Sequence, residues 1–300
     1  LQGTPNYLLP VTMLLFAAAL AVVPVTSRFF LDAWNAEVSG TEGMVQKASR
    51  GAPGRFFSAF TKWMEPVTRE LMRKELIINI SRKEVGGTVF TIIGLAVVLL
   101  YLKSRMGGTI ATPFFNLVSP LLVCIGLYTA AVLQYAMLGL SSLGKEGKNF
   151  WILKHLPVKS EKIFVAKAEA LLVFTPLIVL AIAIPLPVAA NMGADWVLFF
   201  IIAALALAFG FTAIGLVTGT MFPNFDEGTR GTPDVMTMYL IMMACLVLGA
   251  AAVGIPGYIM SKDHFLGILA MAFSADMMAG GLLLSIGRSA KNYDMMEVGV

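Results

Sequence analysis

Charge is what this 300-residue sequence has least of. Asp, Glu, Lys and Arg make up 13% of it, against about 25% in an ordinary globular protein. A water-soluble fold of this length needs a charged skin, and 22 Lys and Arg with 18 Asp and Glu do not supply one. Cysteine is almost absent too. Cys124 and Cys245 both lie inside apolar runs, where they read as small buried hydrophobes rather than a disulfide framework. The two histidines, His155 and His264, have no Cys or His neighbours at metal-ligand spacing. These shortages exclude disorder, a secreted disulfide scaffold and a nucleic-acid-binding domain. What the chain has instead is apolar mass: 58% hydrophobic residues and a mean hydropathy of +0.81. It reads as an integral membrane protein.

A helix needs about 20 mostly apolar residues to cross roughly 30 Å of hydrocarbon. Seven stretches qualify: 8–26, 87–102, 113–140, 163–184, 196–221, 235–259 and 264–286. Each is continuously apolar rather than alternating, which calls for helices and not a barrel. Pro176, Pro185 and Pro187 are expected to bend or end the fourth run.

Orientation follows from the basic residues between the spans. Nineteen of the 22 Lys and Arg fall in 27–86, 141–162, the start of the fourth run, the 222–234 loop or the C-terminal tail. The opposite loops hold Lys103, Arg105 and Lys262. The basic side is expected to be cytoplasmic, C-terminus included. That parity puts 1–7 outside, with neither an initiator Met nor a basic region before the first run. The chain is therefore expected to be the back end of a longer polypeptide. Residues 1–26 would be the last span of a preceding membrane half and 27–61 a cytoplasmic linker. An interfacial helix over 62–85, a six-span unit over 86–286 and a tail over 287–300 would follow. In the interfacial helix Trp63, Val67, Leu71 and Ile78 share an apolar face on which Lys74 intrudes.

The loop between the third and fourth runs reads GKEGKNFWILKHLPVKSEKI over 144–163. It is a short amphipathic helix with Gly147 before it and Pro157 after it, and Ser160 is placed to cap the next helix. Phe150, Trp151 and Leu153 supply apolar bulk while the lysines stay wet. Glu146-Gly147, the apolar-aromatic helix, Leu153, Leu156-Pro157, and then Glu161 and Lys167 resemble the cytoplasmic loop of ABC type-2 exporter permeases. The resemblance is greatest to the branch in which two permease halves are fused in one chain, this chain being similar to the C-terminal half. Phe222-Pro223-Asn224-Phe225 resembles a second segment of the same branch. Lys148 departs from the commonest pattern, which has Thr there.

The resemblance implies an all-α integral membrane protein of the plasma or inner membrane, with about seven transmembrane helices. One of these closes an upstream half; the others form a six-span permease unit. It also implies that the loop is a coupling helix, with Glu146, Gly147, Lys148, Phe150, Trp151, Leu153, Leu156, Pro157 and Glu161 as the residues that engage a separate cytoplasmic ABC ATPase subunit. The chain would move an unidentified substrate and hydrolyse nothing itself. Its other partners would be the lipid bilayer and an upstream or second permease half, with no cofactor and no nucleic acid. An ion-gradient-driven transporter or channel and a non-transporting subunit of a membrane complex are the alternative readings.

Gly139 to Glu146 matches a P-loop except at its last position, where a carboxylate replaces the Mg²⁺-binding hydroxyl; it also follows an apolar helix, not a strand. It is a chance match. Asp276, Gln134 and Asn116 are candidates for a translocation path, because polar groups inside a membrane face the bundle or a water cavity. Lys167 and Glu169 are expected to pair with each other or snorkel. Gly215 and Gly219, with Ala206 and Gly210, form small-xxx-small spacings for close helix packing. A membrane-impermeant thiol reagent should reach Lys154→Cys, in a chain freed of Cys124 and Cys245, from the cytoplasmic side alone; labelling from the outside would invert the topology.

Overall fold

The computed structural model describes residues 65–80, 94, 112–144, 146, 150–190, 192–225 and 234–296, and every regular element among them is helical. The run expected at 8–26, the run at 87–102 apart from Gly94, and the 27–61 linker lie outside the described residues. So do Gly147, Lys148, the 226–233 stretch of the second loop and the last four residues of the tail.

In chain order the elements are α1 (Pro66–Ile80), α2 (Thr112–Ala131), a π-helical segment (Val132–Met137), α3 (Leu138–Leu140) and α4 (Phe150–His155). Then come α5 (Ser160–Leu172), α6 (Thr175–Ile178), a second π segment (Val179–Ala183) and α7 (Pro185–Ala189). The chain continues through α8 (Ala194–Met221), α9 (Val235–Gly249), a third π segment (Ala250–Gly254), α10 (Ile255–Met260) and α11 (His264–Met295).

Four helical stretches are long and apolar enough to cross a membrane: Val123–Leu140, Ala194–Met221, Met236–Met260 and His264–Met295. They correspond to the runs expected at 113–140, 196–221, 235–259 and 264–286. The last is longer than its apolar run because its polar C-terminal turns are held by packing and a cap described below. The run at 163–184 differs. Instead of one rod it is α5, a break at Val173 and Phe174, α6, a π segment and α7, with Pro176 and Pro185 each in a first turn. Proline removes a backbone donor and crowds the preceding turn, so each one restarts the helix instead of letting it continue.

At 28 residues, or about 42 Å, α8 is the axis of the bundle. Its most extensive pairing is with α11, and it also touches α2, α3, α5 and α9. Phe199, Phe200, Leu207, Phe211 and Leu216 of α8 are buried in one continuous core. Close approach is bought with glycine. A Cβ on Gly215 would fall 2.7 Å from the Ala136 carbonyl oxygen, and one on Gly219 would fall 2.5 Å from that of Leu140. One on Gly210 would meet Met278 Sδ at 2.8 Å. Apolar burial separates no helix from lipid as it does from water, so backbone-on-backbone contact of this kind does much of the work of association in a membrane.

The helix expected over 62–85 is seen from Pro66 to Ile80, and its buried face is not the expected one. Val67 is exposed, whereas Thr68, Met72, Glu75 and Leu76 are buried. Met72 and Leu76 pack with Ala166 and Ala170 of α5 and with Phe174. The helix is thus docked on α5, and its polar residues turn inward for a reason that lies in the candidate site. Gly219→Leu should prevent α8 from seating on α3 and abolish the folded species, read as loss of monodisperse protein in detergent, while the same change at Gly280, whose Cβ direction is open, leaves it intact.

Candidate functional site

Lys167 sits in the middle of α5 among buried alanines, 2% exposed. An ammonium taken out of water must be paired and must find an acceptor for each of its three N–H groups. It does. Nζ donates to Glu75 Oε1 on α1, to the Ser142 carbonyl at 2.9 Å and to Glu146 Oε1 at 3.3 Å. The other oxygen of Glu146 accepts from Lys74 Nζ at 2.6 Å. Two ammonium groups and two carboxylates thus form a closed, neutral cluster joining α1, the 141–146 turn and α5. This explains Lys74 on the apolar side of α1: it points at Glu146. The expected Lys167–Glu169 pair does not form, because Glu75 and Glu146 take the lysine.

Burial alone would push the Glu146 carboxyl up, but Lys167 and then Lys74 outweigh it and hold it below the ordinary carboxylate range. At the rim, Lys162 Nζ reaches both carboxylate oxygens of Glu65 at 2.7 Å and ties the first turn of α5 to the start of α1.

The same turn holds two backbone amides of the P-loop-like run in internal hydrogen bonds, Ser142 N–H to Gly139 O at 3.0 Å and Glu146 N–H to Leu143 O at 3.0 Å. The Ser142 carbonyl faces inward to a cation.

Helix α4 follows. Phe150 and Leu153 are buried, with the Phe150 ring 4.9 Å from that of Phe225 beyond the end of α8 and 5.5 Å from that of Tyr293 in α11. Lys154 is not simply wet. Its Nζ donates to the carbonyls of Tyr293 at 2.8 Å, Asp294 at 3.1 Å and Met296, and lies 5.2 Å from the Tyr293 ring centre. It caps the C-terminus of α11, where unpaired carbonyls and the helix dipole favour a cation. Ser160 Oγ donates to Asp294 Oδ1 nearby. The remaining residues of the loop face out: His155, Leu156, Pro157 and Glu161 are exposed. Trp151 lies on α4, with its side chain outside the described residues.

The path candidates are not gathered in one place. Gln134 is buried in the π segment beside α8, with Oε1 unpaired among the described residues. Asp276 is exposed on α11. Asn116 lies on α2, and its side chain is outside the described residues. In the second loop Phe225 packs on Phe150, and Asp234 caps α9 through the Thr237 amide at 3.4 Å. Sequence reasoning passed over Glu75 and the Lys154 cap, and noted Lys74 only as an intrusion on an apolar face. The available signal was an acid between Met72 and Leu76, and a base between Ala166 and Ala168.

Over residues 6–286 the sequence matches the model of the ABC_tran_2 family, described as "Putative ATP-binding cassette". The chain belongs to that family and is a component of an ABC transport system. No curated protein and no solved structure matches it.

Lys167→Met should strand the buried carboxylate of Glu75, while Glu146 keeps Lys74, and cost about 3–5 kcal/mol of stability, as breaking a buried pair does. Adding Glu75→Gln, which leaves the Lys74–Glu146 pair balanced, should return much of that loss; a double variant no more stable than the single one would contradict a neutral cluster. Because the Glu146 pKa is lowered by folding, its contribution is fully present above the ordinary carboxylate pKa and is lost as pH falls through the lowered value. Denaturation of wild type should therefore steepen on acidification more than that of Glu146→Gln.

Proposed function

We propose that this chain is the permease part of an ABC exporter, that α4 is its coupling helix, and that ATP is hydrolysed by a separate cytoplasmic ATPase subunit. The membrane is crossed by the four long apolar stretches together with the broken α5–α7 segment and the runs at 8–26 and 87–102. The basic bias of the connecting segments puts α4 and the C-terminus in the cytoplasm.

One observation carries this function: α4 has two unlike sides. Its inner side is tied to four elements, through Phe150 to the end of α8, through Lys154 to α11, and through the 141–146 turn to α1 and α5. Its outer end, His155-Leu156-Pro157, is exposed, with Leu156 showing 39% of its surface. A short rigid helix held to the bundle on one side and followed by exposed Leu156 and Pro157 is a contact through which an outside body can push the bundle as a unit. Closure of an ATPase pair on ATP would supply that push, and the close-packed bundle would convert it into opening, in the manner of domain closures that bias a two-state element. The permease assignment, the direction of transport and the partner ATPase all belong to this proposal, and the substrate is left unnamed.

Leu156→Asp tests it, because the residue is exposed and away from the charge cluster. The variant should fold and insert as wild type does, yet bind its ATPase subunit about tenfold more weakly, a loss of about 1.4 kcal/mol. In reconstituted vesicles Pro157→Ala should leave ATP hydrolysis running while transport slows. Unchanged association and unchanged coupling in both variants would contradict α4 as the docking element.

A further inference from the structure

Helix α11 carries one acid at the point of greatest cost. Asp276 lies 12 residues from His264, at one polar end, and 12 from Arg288, at the other. At 1.5 Å per residue that is about 18 Å from either boundary, farther than the roughly 15 Å half-thickness of the hydrocarbon. A carboxylate side chain is too short to reach headgroups from there. Among the described residues it does not point into the bundle either. The inward side of α11 is marked by buried Met271, Leu282, Ser285 and Ser289, whereas Asp276 is exposed on the opposite side between Phe273, 67% exposed, and Met277, 62% exposed. No hydrogen bond or ion pair to another described residue involves it. One turn on, Gly280 leaves the space in its Cβ direction empty, so a neighbouring backbone has room to approach beside the carboxylate.

An outward-facing acid at mid-bilayer is stable when another element supplies a donor. We propose that this face of α11 is a docking surface for a second membrane-spanning helix, different in sequence from α11, that presents a Lys, Arg, His or side-chain amide to Asp276. Charge complementarity selects that occupant over the alternatives. A second α11 related by two-fold symmetry would bring carboxylate onto carboxylate, and lipid tails offer no donor. The proposal rests on the membrane placement of α11 and not on what drives transport.

A photo-crosslinking amino acid placed at Phe273 or Met277 of the full-length protein in native membranes reads the neighbour directly. The expected product joins α11 to a membrane peptide of different sequence with a basic or amide residue within one turn of the crosslinked site. It should persist in Asp276→Asn and fall severalfold in Asp276→Leu. Crosslinks confined to lipid or to a second α11, or a yield indifferent to Asp276→Leu, would overturn the proposal. So would rapid reaction of Asp276→Cys with a membrane-impermeant thiol reagent, which would mean water at that face. Cysteines at Lys262 and Lys291, labelled from opposite sides, separate the two levels: labelling of both from one side would remove the membrane placement and the docking surface together.

Discussion

A buried ammonium group leaves a protein little freedom. Lys167 needs compensating charge and three acceptors within hydrogen-bond reach, and those it has come from the buried face of α1 and from the turn before α4. Once that requirement is met, much else is fixed. Glu75 must face inward, so α1 must lie on α5 rather than float beside it; the 141–146 turn must close over the lysine, so α4 must leave it in a set direction. Moving any one of these three elements alone would unpair a charge at low dielectric, so they move together. A cluster of this kind contributes definition of geometry more than net stability.

Around that block the bundle is built for close contact. Gly215 and Gly219 let α8 meet the carbonyls of the preceding helix, and the π segment over Val132–Met137 brings the Tyr135 and Ala136 carbonyls to that seam. Tyr135 in turn shares a hydrogen bond of 2.8 Å with Thr175, just past the break after α5. The rigid lower stretch of α5, which holds Lys167, therefore ends where a restarted helix begins, and a buried bond spans the joint. On the proposed function, a push delivered at α4 would reach this joint through α5 and the far end of the bundle through α11.

Much of the architecture was legible in the sequence because lipid is a demanding solvent. A span must be long, apolar and helical, and apolar run length by itself located the helices at 112–140, 194–221, 235–260 and 264–295 to within a few residues at most boundaries. Prolines marked where 163–184 would not be one rod. The glycine spacing of α8 announced close packing, though not which neighbour each glycine would meet. The side-chain network was far less legible. Glu75 and Lys167 are 92 residues apart, and no periodicity within either helix tells which cation an inward acid will find. Lys154 looked like the wet side of an amphipathic helix; its role as a cap depends on where the end of α11 lands, which is a tertiary fact. Asp276 was read as facing inward because acids in membranes usually do, and it faces outward.

The central claim is that α1, α4 and α5 form one block that transmits force. Spin labels at Glu70 on α1, Lys159 at the start of α5 and Gly193 at the head of α8 measure it directly, by pulsed dipolar distances in the assembled transporter with and without trapped ATP. The account predicts a Glu70–Lys159 distance that stays constant while the Lys159–Gly193 distance shifts on ATP trapping. A Glu70–Lys159 distance that changes while Lys159–Gly193 holds still would contradict it.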